Sequence, residues 1–348
     1  MLLNQIIKKL KQKEELNNED LNIIFQEFKT NKSLEEISIK EFISSWYEKG
    51  YTPNEIYALA RLINSQEIET GYYPNAIDLC GTGGDKSNTF NISTLTAIVA
   101  SSLNIPVIKH SGKSNTSITG SADILNEFNI NIDNDKAIKE KCFKSNNLMF
   151  VSSTVFRNVF GIIKTISKQI NIPSLVNLIG PLTNPYKTEF HLLGVSNPHW
   201  GELLAEVVKL QNEKEKIYKK TVLIICCEIE KNKYLDELSF CGENHLWLIN
   251  NKIEKLDDYE TTQKAGIDDL IVKNKAESKL VFERVLKGEA GTKDILEKIK
   301  TVSLNSGCAL FLTKKADSLE AGYKKSIEHI QTGMAWEHFQ DFISCNNC

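Results

Sequence analysis

Apolar residues recur at spacings of three and four through LLNQIIKKL, LEEISIKEFISSWYEKG and PNEIYALARLINSQ, the period of amphipathic helices. Residues 1 to about 68 therefore read as a small all-helical region. Asn18, followed by Glu-Asp, marks one helix start. Thr52, with Pro53 at the first helical position and Glu55 three residues after the threonine, has the form of a capping box, and Gly50 closes the preceding helix. After Gly71 the pattern changes. Short apolar runs such as AIDLC, IPVIKH and TVLIICCEI alternate with helical segments such as STLTAIVASSLN and SADILNEFN. That alternation predicts an α/β fold with a mainly parallel central sheet flanked by helices, following a helical domain over residues 1–70.

Two consecutive strand-loop-helix units stand out: AIDLC, GTGGDKSNTF and NISTLTAIVASSL, then IPVIKH, SGKSNTSITG and SADILNEF. Both loops then lie at the carboxyl ends of strands, where open α/β sheets bind ligands. Gly81, Gly83 and Gly84 permit positive φ and close approach of peptide N–H groups to an anion. Asn91, Ser93 and Thr94 open the next helix, whose positive end suits phosphate. Asp85 repels phosphate but accepts ribose hydroxyls or a metal-bound water, so a phosphorylated sugar fits this mixture better than phosphate alone. Taken singly, the glycines equally fit an ordinary turn before a capped helix. The loop matches neither G-x-G-x-x-G nor the nucleotide P-loop.

The second loop carries Lys109, His110, Lys113 and several hydroxyls, a set suited to a polyphosphate or, more blandly, to a solvated basic turn. His110 alone reads as a structural histidine. Asp236 and Glu237 are adjacent in KYLDELSF; adjacent side chains point apart in regular structure, so a solvated turn is the default reading. Beside a phosphate site the same pair could hold Mg²⁺.

Composition changes this picture little. The chain has 348 residues, 41% of them hydrophobic, enough for a well-buried core. A net charge of -3 from 42 basic and 45 acidic residues leaves no overall footprint for a nucleic-acid backbone or an anionic membrane. No run approaches the roughly 18 apolar residues of a membrane span, and MLLNQIIKKLKQKEEL lacks the order of a secretory signal, so a cytoplasmic location is expected. The eight cysteines are scattered, and Cys226 and Cys227 sit in an apolar strand-like run. Cys345-x-x-Cys348 has ligand-like spacing, but a zinc site needs about four ligands and no second pair lies nearby. A frayed, reduced tail is expected.

In combination and order, DLCGTGGD, NTFNIST, KH with GSADILNEF, NLIGPLTNP followed by LLGV, DEL, and ALFLTKKADSLEAGY resemble the anthranilate phosphoribosyltransferase family, which is close in fold to the pyrimidine nucleoside phosphorylases. KGYTPNEIYALARLI resembles its amino-terminal domain, so the likeness spans nearly the whole chain. It implies a helical domain, completed by helices around residues 155–190, joined to a larger α/β domain over 71–348, usually in a homodimer. It also implies displacement of pyrophosphate from phosphoribosyl pyrophosphate by the amine of anthranilate, in tryptophan biosynthesis. Carried over residue by residue, Gly81, Gly84, Asp85, Thr89, Asn91, Ser93, Thr94, Lys109, Ser117 and Ser121 fall on donor positions. Ser93, Asp236 and Glu237 fall on the positions for Mg²⁺, about two ions, which reverses the solvated-turn reading of the acidic pair.

Gly81, His110, Gly112 and Ser167 fall at the acceptor, and there the chain departs from the family. Lys-His-Gly-Asn-Arg becomes Lys109-His110-Ser111-Gly112-Lys113, and His-Pro-Ala-Met-Lys gives way to TVFRNVFGI. Arg-Thr-Ile-Phe-Asn becomes Pro173 to Asn177, and Lys86 stands where a small residue is common. By ungapped counting, the arginine facing the anthranilate carboxylate is Ser167. An unpaired carboxylate in a closed pocket is costly, so Arg157, Lys164 or Lys168 would have to replace that charge. Each reads by default as a helix-surface residue. The alternatives are a paralogue with another amine acceptor, a pyrimidine nucleoside phosphorylase, or a non-catalytic relative that binds nucleic acid.

Overall fold

In the computed structural model, which describes residues 2–30, 34–68, 70–111, 120–215, 218–257 and 265–348, the amino-terminal apolar stripes form four helices. These are α1 (Leu2–Lys11), α2 (Asn18–Thr30), α3 (Glu36–Lys49) and α4 (Pro53–Asn64). Gly50 ends α3 at φ +85°. The capping box forms as read: Glu55 N–H donates to Thr52 Oγ1 at 3.2 Å, and Thr52 N–H to Glu55 Oε2 at 3.0 Å. Glu55 is fully buried and also accepts from Leu16 N–H, Trp46 Nε1 and Lys49 Nζ, so one capping side chain ties three segments together. Helix α2 starts at Asn18, as read. Asn17 caps it, its Oδ1 accepting from Glu19 and Asp20 N–H groups at 2.9 and 3.0 Å.

The chain then alternates: β1 (Gly71–Leu79), α5 (Ile92–Ser102), β2 (Val107–His110), α6 (Ser121–Asn126), α7 (Lys136–Asn146), β3 (Leu148–Val151), α8 (Thr154–Gln169) and α9 (Leu175–Ile179). It continues with β4 (Tyr186–Gly194), α10 (Pro198–Lys214), β5 (Thr221–Glu230), β6 (Lys233–Leu235), β7 (Glu243–Ile249) and β8 (Ile253–Leu256). The helices α11 (Lys275–Leu286), α12 (Lys293–Leu312), α13 (Leu319–Gln331) and α14 (Met334–Asn346) follow. The sheet order is β3-β2-β1-β4-β5-β7-β8, parallel from β3 to β5. β6, β7 and β8 are antiparallel additions at the β5 side. Strand β1 begins at Gly71 rather than Ala76. Its register shifts between Tyr73 and Ile77, where Asn75 has φ +66°.

β5 divides the core. Val222, Ile224 and Cys226 face one apolar cluster and Leu223, Ile225 and Cys227 the other, the period of a strand buried on both faces. The first cluster contains the inner faces of α1 to α4 together with Val159, Phe160 and Ile163 of α8 and Leu175, Val176 and Leu178 of α9. The second contains α5 and the inner faces of α11, α12 and α14. The tail expected to fray is helical through Asn346, with Phe339 and Phe342 buried. No helix among the described residues is long and apolar enough to cross a membrane.

Candidate active site

Strands β1 and β2 are neighbours, so the loops that follow them lie side by side. Asp78 fastens them at the base. Its buried carboxylate accepts from His110 N–H at 2.9 Å and from Asn184 Nδ2 at 2.8 Å. Burial opposes its ionisation, but His191, His110 and these hydrogen bonds outweigh it and hold the carboxyl below its usual range. Lys109 is 2% exposed and donates through Nζ to Leu79 O at 2.6 Å, which brings its ammonium to the strand end.

Above this base lies a cavity of about 220 Å³. Gly81, Gly84, Asp85, Thr89, Asn91, Ser93, Lys109, Ser121, Asp236 and Glu237 all line it, as does His110. Thr94 does not line it; its hydroxyl donates to Ser121 Oγ at 3.1 Å and so braces the wall. Ser117 and Gly112 lie outside the described residues. Glycine is required at two places in the cradle. Gly84 has φ +85°, and a Cβ there would lie 2.6 Å from Asn177 Nδ2; a Cβ on Gly81 would lie 2.7 Å from Asp236 Oδ2 and 3.0 Å from Gly194 O.

Asp236 and Glu237 follow β6 in a bend, where the rule that neighbouring side chains diverge no longer holds. Ligand oxygens of Asp85, Asp236 and Glu237 lie within 4.8 Å of one another. Asp85 is pushed up to about 7, by burial first and then by the charge of Asp236. Burial also holds Glu237 well above its ordinary range, with Asp236 and Asp85 adding to it. Glu237 Oε2 is buried with no hydrogen-bond partner among the described residues. Three crowded carboxylates and an orphaned oxygen are what a bound cation would relieve, and an all-oxygen set suits a hard divalent ion such as Mg²⁺.

Several contacts that support this cluster are visible only in the fold. Gly194, at the end of β4, lets the acidic bend come close: a Cβ there would be 1.6 Å from Asp236 O. Asn305 in α12 holds the next residue on both sides, accepting from Leu238 N–H at 3.1 Å and donating to Leu238 O at 2.8 Å. Gly83 N–H donates to Asp236 Oδ2 at 2.7 Å. These contacts join segments far apart in the chain, which no local pattern records.

A second cavity of about 380 Å³ adjoins the first. Gly81, Thr82, His110, Lys164 and Asn177 line both. Ile132, Phe156, Val176 and Pro181 make its apolar walls. His110 Nε2 accepts from Ser153 N–H at 3.2 Å, and burial lowers the ring's pKa, so it is a neutral, fixed wall group. Ser167 is not brought here. It is 1% exposed, almost one turn farther along α8, and lines neither cavity. Helix α8 turns Lys164 inward instead, half-buried, with burial lowering its pKa and no ion pair or hydrogen bond among the described residues. The surface reading therefore fails for Lys164. It holds for Arg157 in part, since that guanidinium lies at the cavity rim 3.6 Å from exposed Asp133, and it holds for exposed Lys168. A larger cavity of about 660 Å³ lies over the helical region, lined by Glu15, Tyr57 and Arg61 among others, and contains none of these loop residues.

Residues 73–336 match the family model described as the glycosyl transferase family, a/b domain. The anthranilate phosphoribosyltransferase of Bacillus cereus (strain B4264) is 32% identical over 317 residues, covering 90% of this chain and 89% of the relative. That of Clostridium beijerinckii is 31% identical over 350 residues, covering 99% and 98%. Among solved structures, the Thermus thermophilus enzyme superposes with a TM-score of 0.82 at 23% identity, covering 99% of both chains. The Saccharomyces cerevisiae enzyme in complex with PRPP and Mg gives 0.80 at 22% identity, covering 99% and 98%. The end-to-end match in sequence and fold, with the site motifs gathered around one cavity, makes this chain a member of the anthranilate phosphoribosyltransferase family of pentosyltransferases.

Proposed function

We propose that this protein transfers the phosphoribosyl group from phosphoribosyl pyrophosphate to the amine of anthranilate or a close carboxylated analogue, in tryptophan biosynthesis. The observation that carries this reading is the pairing of two cavities: a glycine- and hydroxyl-lined one with Lys109 and three carboxylates, opening into an apolar one with an unpartnered ammonium, Lys164. The first suits a sugar polyphosphate with its metal; the second suits a flat aromatic acid.

In the reaction, the bond from ribose C1 to pyrophosphate breaks and a bond from C1 to the aromatic nitrogen forms. Negative charge grows on the leaving group. Lys109, buried and aimed by Leu79 O, and the N–H groups of the glycine loop lie where they stabilise that charge without reorganising. Asp85, Asp236 and Glu237, with Ser93 in the same cavity, would hold Mg²⁺, which supplies neutralisation of the pyrophosphate when bound. Lys164 receives the acceptor carboxylate, and the apolar walls orient the ring so that its nitrogen faces C1. Use of two ions, assembly as a homodimer and a cytoplasmic setting belong to the same proposal, and the family resemblance supports them.

Isothermal titration with phosphoribosyl pyrophosphate and Mg²⁺ tests the donor half. Binding is expected for the unmutated protein and is lost when Asp236→Ala and Glu237→Ala are combined. Absence of binding to the unmutated protein overturns the reading.

A further inference from the structure

The cysteines that had no evident partner in the sequence have one in the fold. Cys142 on α7 is 1% exposed, and its thiol donates to Cys345 Sγ on α14 at 2.6 Å. Ser145 Oγ lies within hydrogen-bonding reach of the same sulfur at 3.6 Å. Cys345 is half-buried and Cys348 exposed. The family model ends at residue 336, so this sulfur cluster depends on a segment outside the matched region. Among the described residues the cysteines do not converge as a group of three metal ligands. A pair in contact, with one sulfur reachable from solvent, suits thiol-disulfide exchange.

The residue after Cys345 connects the pair to the active site. Asn346 Oδ1 accepts from Asn131 N–H at 3.0 Å, and its carbonyl accepts from Asn134 Nδ2 at 2.9 Å. The segment held in this way, residues 129–135, supplies Ile132 to the apolar cavity. It also carries Asp133, which accepts from Ser152 Oγ at 3.0 Å and pairs with Arg157.

We propose that Cys142 and Cys345 form a reversible disulfide, and that this bond latches the wall of the acceptor cavity through Asn346. The oxidant is a low-molecular-weight disulfide. Cys345, the more exposed of the two, attacks one sulfur of the oxidant as its thiolate and displaces the first small thiolate. Cys142 loses its proton and attacks the Cys345 sulfur of the mixed disulfide, displacing the second. Two protein thiols are oxidised, the small disulfide is reduced to two thiols, and the two protein protons end on those leaving groups. Closing the bond fixes the last turn of α14 to α7, so that Asn346 no longer parts from Asn131 and Asn134.

The test uses the full chain incubated with oxidised glutathione, alkylated and mapped without reduction. A linked pair of peptides containing Cys142 and Cys345 is expected, released by dithiothreitol. Amide hydrogen exchange over residues 129–135 is expected to slow about tenfold on oxidation. Cys345→Ser loses both effects while matching the exchange of the reduced parent, which shows that it is folded; Cys348→Ser keeps both. Failure to link, a bond joining Cys345 to Cys348 or to any other cysteine, or linkage without slower exchange would each overturn the proposal.

Discussion

Lys164 concentrates the question of substrate choice in one side chain. An ammonium that is half-buried, without an ion pair or hydrogen bond among the described residues, loses hydration and gains nothing in return until an anion arrives. A carboxylate in the adjoining cavity provides that return, and a charge-assisted hydrogen bond contributes about 1.5–3 kcal/mol. Lys164→Met is therefore expected to raise KM for anthranilate by about ten- to a hundredfold, with little change for aniline, which lacks the carboxylate. Lys164→Arg retains most of the affinity. Steady-state kinetics with the two acceptors checks this; equal losses for both would assign Lys164 to another role. The sequence allowed this residue as a substitute cation but favoured a place on the helix surface. Ungapped counting pointed to Ser167, which is buried but lines neither cavity; motif arithmetic does not tell which of two inward residues on α8 meets the cavity.

At the scale of elements, what was legible follows from what is local. The β1-loop-α5 and β2-loop-α6 units were readable because the change from strand period to helical period, and the glycine and hydroxyl residues between them, lie within about 25 residues of one another. The capping box at Thr52 and the start of α2 at Asn18 were readable for the same reason. The acidic bend after β6 was read through the family resemblance alone, since its geometry depends on β4 and α12. Asn305 holds Leu238 through both its amide groups and is 2% exposed. Asn305→Ala should leave α12 in place but release the bend that carries Asp236 and Glu237. Groups that orient metal ligands typically affect affinity by about 10- to 100-fold. The Mg²⁺ concentration for half-maximal activity is expected to rise by about tenfold or more, with circular dichroism unchanged. An unaltered Mg²⁺ requirement would show that the bend is held without Asn305.

The whole molecule carries a buried polar seam where sheet and loops meet, and that seam makes its stability depend on pH. His191 lies on β4, 1% exposed, with Nε2 at 3.0 Å from Cys80 O. Burial pushes its pKa down to about 4, against the opposing charge of Asp78. In the unfolded chain the ring titrates near its ordinary value of about 6.5. Between those two values the unfolded state binds a proton that the folded state refuses, so stability rises with pH through this window and is lost as pH falls from about 6.5 toward 4. The full effect is about 3 kcal/mol. His110 and His338 are also lowered by burial and act in the same direction, while Asp85, raised to about 7, and Glu237 bind protons more readily in the folded state and act against them. Asp78 adds to this at lower pH: its folded pKa is depressed, so its contribution is present above the unfolded carboxylate value and disappears as pH falls through the folded one. Between pH 7.0 and pH 5.0, urea unfolding should show the parent losing about 2 kcal/mol relative to His191→Gln, whose amide can still donate to Cys80 O but takes up no proton. An equal change in both proteins would remove His191 from the account.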